Sequence, residues 1–272
     1  MENITFKLNN GVDIPVLGLG TYQSEPGKEV INAVKFSLEY GYRHIDTAAL
    51  YRNEEDIGKA VRESNVKREE IFITTKLWNS DHGYDKALKA FDISLKKLGL
   101  EYIDLYLIHW PVQDLRKESW KALERLYDEK LVRTIGVSNY TIDHLKELFN
   151  YANVIPAVNQ VEFSPFLYQK ELLDFCMQNQ IYIEAYTPLT RGKKLNDPTL
   201  LKLADKYGKT TAQIIIRWCI QVNTIVLPKS VNEKRIAENA EVFDFRITDE
   251  DMALLNALNQ NYRVAWDPSN AF

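Results

Sequence analysis

Four side chains that can move protons lie at or just beyond the ends of short apolar segments. Asp46 and Tyr51 lie within HIDTAALY, Lys76 ends IFITTK, and His109 ends IDLYLIH. A phenol, whose ordinary pKa is about 10, is too weak an acid to give up its proton readily near neutral pH. A neighbouring ammonium favours the phenolate and lowers that pKa. If a fold brings the four together, the aspartate would hold the lysine charged and a neutral histidine could donate a hydrogen bond to the same substrate oxygen. The group would then form a proton-handling site without a metal.

Short apolar segments rich in β-formers alternate along the chain with amphipathic segments of helical period. The helix that starts at residue 28 is predicted to stop at Gly41, and Asp197 with Pro198 supplies an N-cap and a first-turn proline for a later helix. Ahead of these elements, ITFKLNNGVDIPV has the alternation of a β-hairpin that turns at NNG. Eight strands are predicted, at residues 16–20, 43–47, 71–76, 103–109, 134–139, 157–163, 181–186 and 224–229.

Eight nearly uniformly apolar strands, each followed by a helix, predict an α/β fold, a closed parallel (β/α)8 TIM barrel with the N-terminal β-hairpin as a cap. A doubly wound open sheet is the alternative, but it usually has fewer strands and a glycine-rich first turn, and GLGTYQ lacks the third glycine. Because no linker rich in Pro, Gly or Ser divides it, the chain is expected to be a single domain over residues 1–272.

Working residues of such barrels gather at the carboxyl ends of the strands, and here each strand from the second onward ends in polar residues. These residues are Asp46, Lys76, His109, Ser138, Asn139, Gln160 or Glu162, Tyr186, Lys229 and Ser230.

Composition narrows the class of protein. With 45% hydrophobic residues, the 272-residue chain can bury a full-sized core. A net charge of −4 gives no sequence-wide attraction to nucleic acid or to an acidic membrane surface. The two cysteines, Cys176 and Cys219, lie in apolar helical patterns and are expected to be buried thiols in a reducing compartment. No window approaches 18 uncharged apolar residues, so a soluble cytoplasmic protein is expected.

Each candidate also has a purely structural interpretation. Asp46 could pair with a backbone amide, Tyr51 could be a loop aromatic, and His109 could be a core histidine. Lys76 is harder to explain structurally, because a lysine that faces a barrel mouth needs a partner. The other histidines, at positions 44, 82 and 144, are given no catalytic role. A metal-dependent hydrolase would need His, Asp or Glu ligands at several strand ends, and only one histidine is there, so no metal is expected.

Long segments of the chain resemble the aldo-keto reductases nearly end to end. The resemblance is closest to the bacterial and protozoal branch that includes 2,5-diketo-gluconate reductases and prostaglandin F synthases. It implies an NADPH-dependent oxidoreductase that reduces aldehydes and ketones to alcohols by hydride transfer. In that activity Tyr51 would be the general acid, Lys76 and Asp46 would tune it, and His109 would orient the carbonyl. The segments are GYRHIDTAALYRNEEDIGKAV (41–61), TTKLWNSDHGYDKALKAFDISLKKLGLEYIDLYLIHWP (74–111), IGVSNY (135–140), VNQVEFSP (158–165) and LPKSVNEKRIAEN (227–239).

The resemblance also implies where NADPH binds. The nicotinamide carboxamide would be held by Ser138, Asn139 and Gln160, with Tyr186 stacked on the ring. Cations that flank a helix N-terminus suit a phosphate monoester such as the adenosine 2′-phosphate. SVNE at 230–233 is also a capping box, so Ser230 either contacts phosphate or caps its helix. The remaining implied cofactor contacts are Gly20 and Thr21, then Lys229, Ser230, Val231, Asn232 and Arg235 at the 2′-phosphate, and Glu238 and Asn239 near the adenine.

Two departures from the family pattern limit this transfer. Ser164 stands where the family often has a histidine before proline, and the brief loop TRGKK leaves little length for a strap over the pyrophosphate. The tail NYRVAWDPSNAF resembles the short tails of the branch, which help to line the substrate pocket. The candidates for the apolar wall of that pocket are Tyr22, Trp78, Trp110 and Trp266.

A cofactor-sensing regulatory subunit of the same fold, with little turnover, is the alternative function. Potassium-channel β-subunits related to this family are an example. The complete set of four proton-handling residues favours the enzyme. The partner is then expected to be a small-molecule carbonyl substrate, with no nucleic acid and no membrane, and the protein is expected to be a monomer. The identity of the substrate does not follow from the sequence.

Overall fold

The computed structural model describes residues 4–270, with an eight-stranded parallel barrel at its centre. Each barrel strand pairs in parallel with the next one in the sequence, and all eight predicted strands are present. Backbone bridges from Leu17 to Val226 and from Gly20 to Lys229 join the first strand to the last. The barrel strands are β3 (Leu19–Gly20), β4 (His44–Asp46), β5 (Phe72–Leu77), β6 (Ile103–Ile108), β7 (Val132–Ser138), β8 (Val158–Glu162), β9 (Tyr182–Tyr186) and β10 (Ile225–Leu227).

Helices surround the barrel, and two of them, rather than one, connect β9 to β10. The predicted helix boundaries are confirmed at two places. Gly41 ends the first helix at φ 117°, and Asp197 caps another by accepting from the Thr199 amide at 2.9 Å. The helices are α1 (Lys28–Tyr40), α2 (Glu54–Arg62), α3 (Tyr84–Leu98), α4 (Arg116–Asp128), α5 (Ile142–Phe149), α6 (Lys170–Gln178), α7 (Pro198–Tyr207), α8 (Thr211–Gln221), α9 (Glu233–Ala240) and α10 (Asp249–Asn256).

The N-terminal hairpin closes the end of the barrel at which the strands begin. Strands β1 (Thr5–Lys7) and β2 (Asp13–Pro15) are antiparallel, with Phe6 opposite Ile14. Ile14 is fully buried in a cluster with residues near the starts of barrel strands, including Phe72 and Ile225. This apolar cluster, the apolar floor of the barrel, confirms the predicted cap. An active site can then lie only at the opposite end of the barrel.

The barrel interior becomes polar above the apolar floor. Side chains two positions apart on a strand face the same side, so the interior can be followed in layers. His44, Thr74 and Glu184 form a middle layer, and Asp46 lies above His44 on β4 as Lys76 lies above Thr74 on β5. A larger apolar core between strands and helices supports these layers from outside, and it contains Cys176 and Cys219 as buried free thiols, as predicted. Within residues 4–270, no helix is both long and apolar enough to cross a membrane.

Candidate active site

Lys76 is the centre of the site and is fully buried. Its Nζ donates to both carboxylate oxygens of Asp46 at 2.8 Å and to the Thr47 carbonyl at 2.8 Å, and it lies 3.4 Å from Tyr51 Oη. The register explains the contact, because Asp46 lies opposite Thr74 on the neighbouring strand and Lys76 faces the same side two positions on. Burial raises the pKa of Asp46, and the Lys76 ammonium opposes that rise and favours the ionised form.

Tyr51 reaches the site from a short 3-10 turn, Ala49–Tyr51, that follows β4. Its ring centre lies 5.0 Å from Lys76 Nζ and 5.8 Å from the His109 ring, which it meets edge-on. The expectation that this phenol has a lowered pKa is wrong. Burial raises the pKa of Tyr51 well above its ordinary value, and the negative charge of Asp46 adds to the rise. The phenol therefore keeps its proton until an acceptor arrives, which is the state that a general acid requires.

His109 follows β6 and lies between Tyr51 and the Trp78 ring, 5.2 Å away. Burial lowers the pKa of His109 well below its ordinary value, and the charge of Lys76 adds to that shift. The ring is therefore neutral at physiological pH. A neutral imidazole has one N–H, which can donate a hydrogen bond to a substrate oxygen. No group of three or more His, Cys, Asp or Glu that could hold a metal lies together among residues 4–270.

The residues expected to hold a nicotinamide carboxamide form one hydrogen-bonded group. Ser138 Oγ donates to the Gln160 carbonyl at 2.8 Å, and Asn139 Nδ2 donates to Ser138 Oγ at 3.1 Å. Tyr186 Oη donates to Asn139 Oδ1 at 2.8 Å. Asn139 has φ 63°, a left-handed conformation that asparagine tolerates better than most residues, and it turns the chain at the barrel mouth.

Glu184 is part of this network and was missed by sequence reasoning. Gln160 Nε2 donates to Asp46 Oδ2 at 2.8 Å and to Glu184 Oε2 at 2.5 Å, so one amide joins two carboxyl groups. Glu184 is fully buried, and its Oε1 lies 3.5 Å from His44 Nε2. Burial raises the pKa of Glu184 to about 8, and Asp46 adds to the rise. The charged residue within the apolar strand IYIEAY was a signal for an inward-facing carboxyl group.

A cavity of about 470 Å³ opens above these residues at the barrel mouth. All four aromatic residues proposed for its wall lie there, and the Trp110 and Trp266 rings are 5.7 Å apart. Tyr51 and His109 lie in the wall with them, so the proton-handling residues and the aromatic wall border one space. Of the implied cofactor contacts, the cavity wall includes Gly20, Ser138, Asn139, Gln160, Tyr186 and Lys229. Wall residues that the sequence did not single out are Gln23, Leu50, Thr187, Pro188, Leu189, Arg191, Leu227, Val264 and Ala265.

The other implied cofactor contacts lie outside the lining of this cavity: Thr21, Ser230, Val231, Asn232, Arg235, Glu238 and Asn239. The Thr21 hydroxyl donates to the Asp46 carbonyl at 2.8 Å, and Glu238 accepts from the Thr210 hydroxyl at 2.7 Å. The interpretation of Ser230 as a helix cap is wrong. Asn232 caps α9 by accepting from the Arg235 amide at 3.1 Å, while Ser230 Oγ accepts from the Asn232 amide. Arg235 therefore lies in the first turn of α9, with an exposed side chain.

Comparisons with known proteins agree with this geometry. The model of the Aldo/keto reductase family matches residues 16–260. Glyoxal reductase of Bacillus subtilis is 50% identical over 97% of this chain and 96% of its own length. The 9,11-endoperoxide prostaglandin H2 reductase of Trypanosoma cruzi is 50% identical over 97% of this chain and 95% of its own length. An aldo-keto reductase of Bombyx mori, solved in complex with NADP, superposes with a TM-score of 0.92 at 39% identity, covering 97% of this chain and 95% of that chain.

Proposed function

Because the chain belongs to the aldo/keto reductase family, we propose that it is an NADPH-dependent oxidoreductase that reduces small neutral aldehydes and ketones, with Tyr51 as the proton donor. One observation carries the proposal: Lys76 Nζ lies 3.4 Å from Tyr51 Oη and 2.8 Å from both Asp46 oxygens, beneath a cavity with aromatic walls. No feature of residues 4–270 favours the cofactor-sensing alternative.

The residues around the cavity fit a nicotinamide cofactor. The amide and hydroxyl groups of Ser138, Asn139 and Gln160 suit a carboxamide, which both donates and accepts hydrogen bonds. Gly20 lines the cavity, and a Cβ there would lie 3.3 Å from the Leu227 carbonyl, so a side chain would crowd this part of the wall. Lys229, which precedes α9, and Arg235, in its first turn, suit a 2′-phosphate, because cations and a helix N-terminus both favour an anion.

Bound NADPH supplies the hydride that reaches the carbonyl carbon. Tyr51 and His109 would hold the carbonyl oxygen through the phenol and a ring N–H. As negative charge develops on that oxygen, Tyr51 Oη gives up its proton to it, and the product is an alcohol. The phenolate that remains lies beside the Lys76 ammonium, whose charge lowers the cost of that step, and Asp46 keeps the ammonium in place. A proton from solvent then restores the phenol.

The cavity wall favours neutral over anionic substrates. The aromatic residues Tyr22, Trp78, Trp110 and Trp266 come from the segments after β3, β5 and β6 and from the C-terminal tail, whereas the cationic residues of the wall, Arg191 and Lys229, follow β9 and β10. A carboxylate near Trp78 and Trp110 would lose hydration without gaining a cationic partner from those segments. Dicarbonyls such as glyoxal and methylglyoxal, and aromatic aldehydes, fit this wall better than keto acids.

A substrate panel tests the proposal. Purified protein should oxidise NADPH with glyoxal, methylglyoxal and an aromatic aldehyde at kcat/KM values well above those for keto acids of similar size. NADH should serve less well than NADPH. A protein that binds NADPH but turns over none of these compounds would refute the enzymatic assignment, and a preference for keto acids would refute the argument from the wall.

We also propose that residues 1–272 form one domain and act as a cytoplasmic monomer. The net charge of −4 and the absence of a disulfide between Cys176 and Cys219 agree with a reducing compartment and with no attraction to nucleic acid. Light scattering coupled to size-exclusion chromatography should give the mass of one chain. Chemical unfolding should follow a single transition, and two transitions would contradict the single domain.

A further inference from the structure

Glu162 is a buried carboxylate that the proposed chemistry does not use. It is the last residue of β8, two positions after Gln160, and is 2% exposed. Its Oε1 accepts from the Val264 amide at 2.7 Å, and its Oε2 accepts from the Ala265 amide at 3.0 Å. Both donors belong to the C-terminal tail, which follows the last helix. A strand end in the barrel therefore binds the tail backbone directly.

Hydrogen bonds join the C-terminal tail to residues 162–169, the segment that begins at Glu162. The Gln260 and Tyr262 amides both donate to the Phe166 carbonyl at 3.0 Å. Arg263 Nη2 donates to Gln169 Oε1 at 3.2 Å, and Gln169 Nε2 donates to the Glu162 carbonyl at 2.7 Å. These contacts bring the tail back to the barrel mouth. The Glu162 carboxylate then holds the two residues with which the tail enters the cavity wall.

The residues held by Glu162 form one side of the cavity. Val264, Ala265 and Trp266 all line it, and the Trp266 ring faces Trp110 at 5.7 Å. Trp266 is 61% exposed, so the body of the protein covers this ring only in part. The position of this aromatic wall therefore depends on how firmly the preceding backbone is held.

We propose that Glu162 is a specificity-determining positioning residue, whose carboxylate fixes residues 264–266 as the substrate wall for bulky apolar carbonyl compounds. The assignment of the substrate side rests on the proposed function. Hydrogen bonds from backbone amides to a carboxylate are about twice as strong as those between neutral groups. A carboxylate also offers two acceptor atoms, one for each amide, whereas a carboxamide offers one acceptor and one donor.

The Glu162→Gln variant tests this directly. The glutamine side chain has one acceptor oxygen and one NH2 group. One of the two tail amides would therefore face the NH2 group, which is also a donor. Losing a hydrogen bond to a charged group corresponds to a change of about tenfold or more in the local opening equilibrium. Hydrogen exchange at the Val264 and Ala265 amides should therefore quicken at least about tenfold. KM for an aromatic aldehyde should rise by about tenfold, KM for methylglyoxal should change by less than about threefold, and kcat and the NADPH dissociation constant should stay within about twofold.

Two further variants keep the test decisive. Glu171→Gln is the matched control, because Glu171 is an exposed carboxylate on α6, and it should leave both exchange and KM unchanged. Val264→Pro removes one donor while Glu162 stays intact. It should reproduce the faster exchange at the Ala265 amide and the higher KM for the aromatic aldehyde even if Glu162→Gln fails to fold.

Unchanged exchange at the Ala265 amide in both Glu162→Gln and Val264→Pro would overturn the proposal. So would a KM that rises equally for both aldehydes together with weaker NADPH binding, since that pattern indicates general loosening of the barrel. The exchange measurement does not depend on turnover. A wild-type protein without reductase activity would refute the proposed function, and exchange would still decide whether Glu162 holds the tail.

Discussion

Replacing Lys76 with methionine should destabilise the protein strongly, because the change leaves the Asp46 carboxylate buried without its counterion. The two charges are 2.8 Å apart, and their side chains are 0% and 5% exposed. At an effective dielectric constant of about 20, this distance corresponds to an attraction of about 6 kcal/mol. Desolvation of the pair offsets part of that attraction, and removing one partner of a buried pair typically costs about 3–5 kcal/mol. We expect the free energy of unfolding at pH 8 to fall by that amount.

The loss of stability in Lys76→Met should be larger at high pH than at low pH. Without the ammonium, the pKa of Asp46 in the folded protein rises further above its unfolded value. When the folded state has the higher pKa, the free energy of unfolding falls as pH rises from the pKa of the unfolded state to the pKa of the folded state. Lys76→Met should therefore be less damaging at pH 5 than at pH 8. The thermal midpoint at pH 8 should fall by on the order of 10 °C.

A double variant supplies the control. Asp46→Asn with Lys76→Met removes both charges, and it should recover most of the stability that Lys76→Met loses at pH 8. Urea unfolding followed by circular dichroism would measure the free energy of unfolding of the wild type, the single variant and the double variant. A Lys76→Met variant as stable as wild type at pH 8, or a double variant no more stable than the single one, would refute the idea of an uncompensated buried carboxylate. Carbonyl reduction should stay at least about 100-fold below wild type in both variants.

Three further predictions follow from the site. Burial raises the pKa of Glu184 to about 8 from its ordinary value of about 4.5, so the native state holds this proton more tightly than the unfolded state. The free energy of unfolding should lose up to about 5 kcal/mol between those pH values, and Glu184→Gln should flatten that dependence in urea titrations. Because His109 is already neutral, kcat/KM for methylglyoxal should show no inflection near pH 6.5, and one that disappears in His109→Gln would show that the ring titrates there. Arg235→Ala should raise KM for NADPH at least about tenfold and leave KM for NADH nearly unchanged, and equal effects on both cofactors would remove Arg235 from the 2′-phosphate site.

The barrel could be predicted because each strand is a short, continuous apolar segment, and strands buried on both faces have that composition. The mouth could be predicted for a related reason. Polar residues that end such strands, as Asp46 and Lys76 do, meet at one end of a closed parallel sheet. Both inferences need only the local sequence and the rule that parallel strands point the same way.

Properties that depend on how deeply a residue is buried, or on contacts between residues far apart in the sequence, could not be predicted in this way. The direction of the Tyr51 pKa shift depends on how far the ring is buried, and considering only the ammonium gave the wrong sign. The link from Glu184 through Gln160 to Asp46 joins β9 and β8 to β4, a strand that is distant from both in the sequence. The choice of Asn232 over Ser230 as helix cap depends on backbone angles that the motif SVNE leaves open.

The most direct test of the central claim compares Tyr51→Phe with Tyr22→Phe, whose ring is 5.0 Å from that of Tyr51 in the same cavity wall. Both variants lose one phenol hydroxyl, but only Tyr51 lies within reach of Lys76 Nζ. Methylglyoxal reduction should fall by at least about 100-fold in Tyr51→Phe and by no more than a few-fold in Tyr22→Phe, while both proteins still quench NADPH fluorescence on binding. Turnover in Tyr51→Phe equal to that of wild type would contradict the assignment of this phenol as the proton donor.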